Sequence, residues 1–197
     1  MAKKNTKLAM LRYMGSKEAI EKRKNEPLPT DPQSYNLKQL AADIASTTVK
    51  ADDIPVAHTP EGGYKEFPAP ILGNCDEPLS EGAPDLRGVW KVYKGKMVEH
   101  VERIEQCGDR VIVTGASLIH DMRCDGTAEN GCHDVNLFLG EDIHNVASYE
   151  NGRLNMRLPG KNAVVVTRYL DGDELVWRYG PFKNRFHRIE APPGRQL

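Results

Sequence analysis

From Asp85 onward the chain is a succession of short β-enriched runs broken by turn dipeptides, and this alternation constrains the fold more than any other feature. The runs are Leu86 to Lys94, Met97 to Gln106, Asp109 to Gly115, Ser117 to Cys124, Cys132 to Leu139, His144 to Glu150, Arg153 to Leu158, Asn162 to Leu170, Glu174 to Tyr179 and Lys183 to Glu190. Between them stand Gly95, Cys107-Gly108-Asp109, Asp125-Gly126, Asn130-Gly131, Asn151-Gly152, Pro159-Gly160 and Asp171-Gly172, which supply positive φ or a preset turn. Connections this short make neighbouring strands antiparallel, and no intervening segment is long enough for a crossover helix. A meander of about eight to ten strands in this length curls, and closure removes its exposed edges. The expectation is a mainly-β protein, an antiparallel up-and-down meander closed into a barrel; a two-sheet sandwich is the alternative.

Composition divides the chain near residue 85. Nine of the thirteen prolines precede that point, whereas both tryptophans and twelve of the seventeen glycines follow it. This gives an N-terminal extension over 1–84, a barrel domain over 85–191 and a tail over 192–197. In the extension, Lys7 to Lys24 reads as a helix interrupted by Gly15, with Leu8, Leu11 and Ile20 on one side. A second helix follows Asn36, a good N-cap residue, with Leu37, Leu40, Ala41 and Ile44 at helical spacing. The prolines keep the rest extended and remove amide donors. Tyr64, Phe67, Ile71 and Leu72 are the apolar residues able to dock this arm on the barrel or on a second copy.

Lys and Arg total 27 against 28 Asp and Glu, a net charge of −1 that provides no field for nucleic acid. No apolar signal core or membrane span can be drawn. Cys75, Cys107, Cys124 and Cys132 show no C-x-x-C pair or framework spacing, so reduced thiols in a cytoplasmic protein are the expectation. The motifs of nucleotide-binding loops and serine-hydrolase elbows are absent.

Gly88-Val89-Trp90, opening the first strand after a Pro-rich approach, resembles the G-x-W signature of the calycin superfamily, which includes lipocalins, fatty-acid-binding proteins and avidin-like barrels. Val101 to Val113 is similar to the strand-turn-strand hairpin of small bacterial lipocalin-like domains. The resemblance covers about residues 86–190. It implies that Trp90 closes one barrel end beneath an arginine from a late strand, Arg185 or Arg188, with Gly88 beside it. The sequence departs from the family in two ways. Only Gly95 and Lys96 separate the first two strands, leaving no room for a helical lid, and the Arg-x-Tyr pair that holds a carboxylate in fatty-acid-binding proteins is missing, Arg168-Tyr169 and Arg178-Tyr179 being adjacent residues on opposite faces.

Alternation along the strands identifies candidate interior residues. Leu154, Met156 and Leu158 share a face, as do Leu118, His120, Met122 and Cys124, then Leu175, Trp177 and Tyr179, and Phe182 with Phe186. His120, Met122, Met156, Trp177, Tyr179 and Phe186 are the candidate ligand contacts. His120 or Tyr179, with Glu102 as a carboxylate partner for the imidazole, are the candidates for acid or base chemistry. A tetrahedral site from His120, Cys124, Cys132 and His133 fails on parity, so no metal and no cofactor are expected. Glu99, Glu102, Arg103, Glu105, Asp109 and Arg110 read as a solvated outer face.

The leading functional expectation is binding of a small, largely apolar or amphipathic molecule inside the barrel. The alternatives are an isomerase, cyclase or dehydratase using the same interior, and a filled barrel whose N-terminal arm docks a partner or forms a homo-oligomer.

Overall fold

The computed structural model describes residues 13–43, 49–135 and 142–193. Its strands are β1 (Gly88–Lys94), β2 (Val101–Cys107), β3 (Arg110–Gly115), β4 (Leu118–Arg123), β5 (His133–Asp134), β6 (Ile143–His144), β7 (Val146–Glu150), β8 (Arg153–Arg157), β9 (Val164–Asp171), β10 (Glu174–Tyr179) and β11 (Phe182–Ile189). Nine form one sheet in the order β4-β3-β2-β1-β11-β10-β9-β8-β7, with all pairings antiparallel. The first and last strands are neighbours, so the meander closes on itself except between β4 and β7. There the Asp125 to Ser148 bridge and a bond from the Gly126 amide to the Ala147 carbonyl draw the two edges together. The architecture is a nearly closed nine-stranded antiparallel barrel.

Gly108, Asn151-Gly152, Pro159-Gly160 and Gly172 lie where hairpins turn, whereas Asp125-Gly126 and Asn130-Gly131 lie in the connection between β4 and β5, which do not pair, and the β3–β4 hairpin turns at Ala116-Ser117. Asn151 and Gly152 both have positive φ between β7 and β8, the conformation that Asn-Gly adopts at least cost. Three runs differ from the sequence reading, one of them His144 to Glu150, which divides at Asn145 between β6 of the two-stranded sheet and β7 of the barrel. The Met97 to Gln106 run is strand only from Val101, because Lys96 to Glu99 turn and the Met97 amide bonds the Asn184 side chain instead of a ladder. Of the Cys132 to Leu139 run, His133 and Asp134 pair with β6, and residues 136–141 lie outside the described residues.

The interior is lined by alternate residues of every barrel strand: Trp90, Ile104, Val111, Met122, Ala147, Leu154, Leu175 and Phe186 belong to one buried cluster, and Val166 of β9 packs against it. The other face of β2 and β3 is buried as well, because the Pro-rich segment lies across it. Its extended backbone has carbonyls without ladder partners, and two barrel arginines supply the donors. Arg103 bonds the carbonyls of Pro68 and Ala69 and the Ser34 hydroxyl; Arg110 bonds the carbonyls of Ala51, Ile54 and Pro55. Glu105 and Asp121 neutralise these arginines and accept the arm amides of Leu72 and Ala57. Arg103, Glu105 and Arg110, expected in solvent, are each at most 2% exposed. Tyr64, Leu72 and Cys75 complete the layer against Cys107, Ile112 and Ile119.

Cys75 and Cys107 form a disulfide that ties the arm to β2, which corrects the expectation of four reduced thiols. Cys124 and Cys132 are free and buried. The first helical segment is α1 (Lys17–Lys24), capped by Ser16, whose hydroxyl accepts the Ala19 amide; residues 7–12 of the longer expected helix lie outside the described residues. A 3-10 turn at Pro32–Tyr35 precedes α2 (Leu37–Asp43), which begins just after Asn36, while Ile44 lies outside the described residues. Among the described residues no helix is long and apolar enough to cross a membrane.

Two outcomes follow from the arm contacts. Arg110→Met keeps the aliphatic stem but strands Asp121 and three carbonyls, and is expected to cost about 3–5 kcal/mol in denaturant unfolding. Reduction of the Cys75–Cys107 bond, which closes a 32-residue separation, is expected to lower stability by about 3–4 kcal/mol on the chain-entropy scale, measured as a shift in denaturant midpoint with and without reductant.

Candidate functional site

Gly88, Trp90 and Arg188 meet at the base of β1. The Arg188 guanidinium lies 4.3 Å from the centre of the Trp90 ring, and the indole N–H donates to the Leu86 carbonyl at 2.8 Å. Gly88 has φ of 133°, and a Cβ there would collide with the Arg188 guanidinium. Arg185 lies on the opposite parity and pairs with Glu174 and Asp171, so Arg188 is the arginine over the ring.

Farther along the interior is a polar group that the sequence reading reached only in part. Glu102 points inward, not to solvent, and takes a bidentate bond from Arg168 at 3.0 and 3.1 Å. The two strands carrying these residues are on opposite sides of the sheet order, so the pair spans the barrel. His100 Nε2 lies 3.4 Å from the second Glu102 oxygen. Burial would raise the Glu102 pKa, but Arg168 and His100 outweigh it and bring the carboxyl down to about 2. Trp177 stacks near this group: its ring centre is 6.0 Å from that of His100 and 5.1 Å from the Arg168 guanidinium.

Among the described residues, three ring nitrogens are buried without a hydrogen-bond partner: His100 Nδ1, His120 Nε2 and Trp177 Nε1. His120 faces inward, opposite Val113, but its nearest carboxylate is Asp134 at 3.8 Å and not Glu102. Desolvation lowers the His120 pKa against the pull of Asp134, with Arg168 adding to the lowering, so the ring is held neutral. The Glu102 carboxylate can only accept, so the facing His100 Nε2 carries a proton, and Nδ1 is the ring nitrogen left without a protein partner.

Met122, Met156 and Phe186 belong to the interior cluster and Trp177 packs against it, while Tyr179 is half-buried on the same parity near the strand end. One end of this interior is covered by α1. Met14 packs on the cluster, and the buried Arg23 donates to the carbonyls of Val98 and Met14 and approaches the Met97 sulfur. A cover is thus supplied by the N-terminal segment and the Lys96–Glu99 turn, where the sequence reading left room for only Gly95 and Lys96. His100 and Arg168 were missed. The available signals were their parity with Glu102 and Trp177.

A separate cleft of about 430 Å³ lies outside β4, between residues 51–58 and 129–134. Of the predicted ligand contacts only Met122 borders it. Cys124 and Cys132 are pushed up to about 12 by burial and are poor nucleophiles.

Among solved structures the fold is similar to human cRBP IV, with a TM-score of 0.44 and 20% identity over 53% of this chain and 98% of that one. No protein-family model and no curated protein matches the sequence. The fold is defined by the strand order itself, a near-closed antiparallel barrel of nine strands.

The depressed pKa of Glu102 predicts acid sensitivity. A carboxyl lowered from 4.5 to about 2 on folding stabilises the fold fully above its unfolded value and loses that contribution as pH falls toward 2. Unfolding free energy is expected to drop over this window. In Glu102→Gln the neutral-pH stability is lower and the drop is shallower, as read by urea melts at stepped pH.

Proposed function

We propose that the protein binds a small amphipathic molecule in the barrel interior, its apolar body against Met122, Met156 and Phe186 and its polar head beside His100, His120 and Trp177. The observation that carries this reading is the set of three unpartnered ring nitrogens around a self-neutralised ion pair. Buried polar atoms ordinarily have partners, and an unmet one costs about 1–3 kcal/mol. A ligand head that satisfies them recovers that cost.

The same geometry favours one class of head. Arg168 is already neutralised by Glu102, so a carboxylate would add an uncompensated charge to a dry site. The indole N–H can only donate, and the neutral His100 tautomer with its proton on Nε2 offers Nδ1 as an acceptor, so a group that both accepts and donates, such as a hydroxyl, suits the pair. Tyr179, near the strand end, is placed to contact the ligand at its exposed side. The half-buried Trp177 is the reporter.

Native mass spectrometry of protein purified from its own host, with extraction of any adduct, tests for a resident ligand. In parallel, a twelve-carbon alcohol, the matching carboxylic acid and the alkane are titrated while tryptophan emission is followed. The alcohol is expected to bind about tenfold or more tighter than the acid, one charge-neutral hydrogen bond being worth roughly that factor. His100→Ala should remove the preference, and Trp177→Phe should remove the signal. A bare native mass together with no response to any of the three overturns the proposal.

A further inference from the structure

We propose that His133 and His144 form a binding site for a late first-row transition-metal ion of tetragonal preference, Cu²⁺ or Ni²⁺. The two residues are direct partners across the β5–β6 pair, and their Nδ1 atoms lie 2.9 Å apart. Both side chains are exposed, so an ion reaches them from solvent.

The His133 ring is set for ligation. Its Nε2–H donates to the Ala128 carbonyl at 2.6 Å, which fixes the tautomer and leaves the Nδ1 lone pair free. Proteins orient metal-binding imidazoles by this same device, a backbone carbonyl on the other ring nitrogen. With both rings neutral and the His133 proton on Nε2, the contact between the Nδ1 atoms carries one proton, held by His144. When the ion binds, that proton moves to His144 Nε2, and both Nδ1 lone pairs become ligands with no net change of protonation.

The spacing selects the ion. Two metal–nitrogen bonds of about 2.0–2.1 Å across this separation subtend about 90°, the cis angle of a square or tetragonal ion; a tetrahedral angle would need about 3.3 Å. Neutral imidazole suits Cu²⁺ and Ni²⁺, and copper heads the affinity series. Water completes the coordination. The Asp134 carboxylate is already engaged by the Thr59 hydroxyl and the Val135 amide, so it is not the third ligand. An ion here would cross-link the two short strands beside the open edge of β4.

The test is titration of the full chain with Cu²⁺ in a weakly coordinating buffer, read by calorimetry and by electron paramagnetic resonance, with Zn²⁺ as comparator. One tight equivalent with a two-nitrogen hyperfine pattern is expected, binding Cu²⁺ more tightly than Zn²⁺. His144→Ala and His133→Ala should each weaken it at least tenfold, while His187→Ala, an exposed histidine elsewhere on the barrel, should leave it unchanged. His144→Ala retaining both affinity and spectrum, or a spectrum without two nitrogens in the wild type, overturns the proposal.

Discussion

Arg103 and Arg110 donate to five backbone carbonyls of a segment that has no ladder of its own, and the outer layer of the molecule depends on those bonds. A Pro-rich chain is short of amide donors and here forms no sheet ladder, only a single 3-10 turn at Ala51–Asp53, so burying it leaves carbonyls to be satisfied by something else. Each arginine is neutralised by an acid on the barrel, Glu105 or Asp121, and each acid spends a further lone pair on an arm amide. Charge is cancelled within the pair while its remaining donors and acceptors satisfy backbone. The disulfide between Cys75 and Cys107 then fixes the same segment covalently.

The sheet β2–β4 is therefore covered on both sides, by the arm outside and by the opposite barrel wall inside. In that dry interior Glu102 and Arg168 join strands on opposite walls, and they place a neutral but polar surface in the middle of an otherwise apolar cluster. The N-terminal segment, held through Arg23, packs Met14 against the same cluster. A low-dielectric setting strengthens every bond made to His100 or Trp177 and raises the cost of leaving their free nitrogens unmet.

The meander could be read from the sequence because hairpin chemistry is local: Asn151-Gly152 and Asp171-Gly172 each specify a turn with no help from the rest of the chain. Parity within strands is local too, and it placed Met122, Met156 and Phe186 in the interior cluster. The outer layer was not readable in this way. Arg103, Glu105 and Arg110 have the composition of a solvated face, and only the long-range docking of residues 51–77 buries them. The disulfide joins positions with no framework spacing, so nothing short-range announces it. Glu102 was weighed as a partner for His120, but across a barrel the pairing depends on shear and stagger. These place Arg168 against Glu102 and bring Asp134 nearest His120.

Site-resolved hydrogen exchange of the oxidised protein tests most directly whether arm and barrel are one cooperative structure. The amides of Ala57, Tyr64, Leu72, Ser80 and Leu86 are each bonded to barrel groups. The account predicts that they exchange with the same opening free energy as the β2 and β3 amides. Exchange of those five near the rates of an unstructured chain, with the barrel still protected, would contradict it.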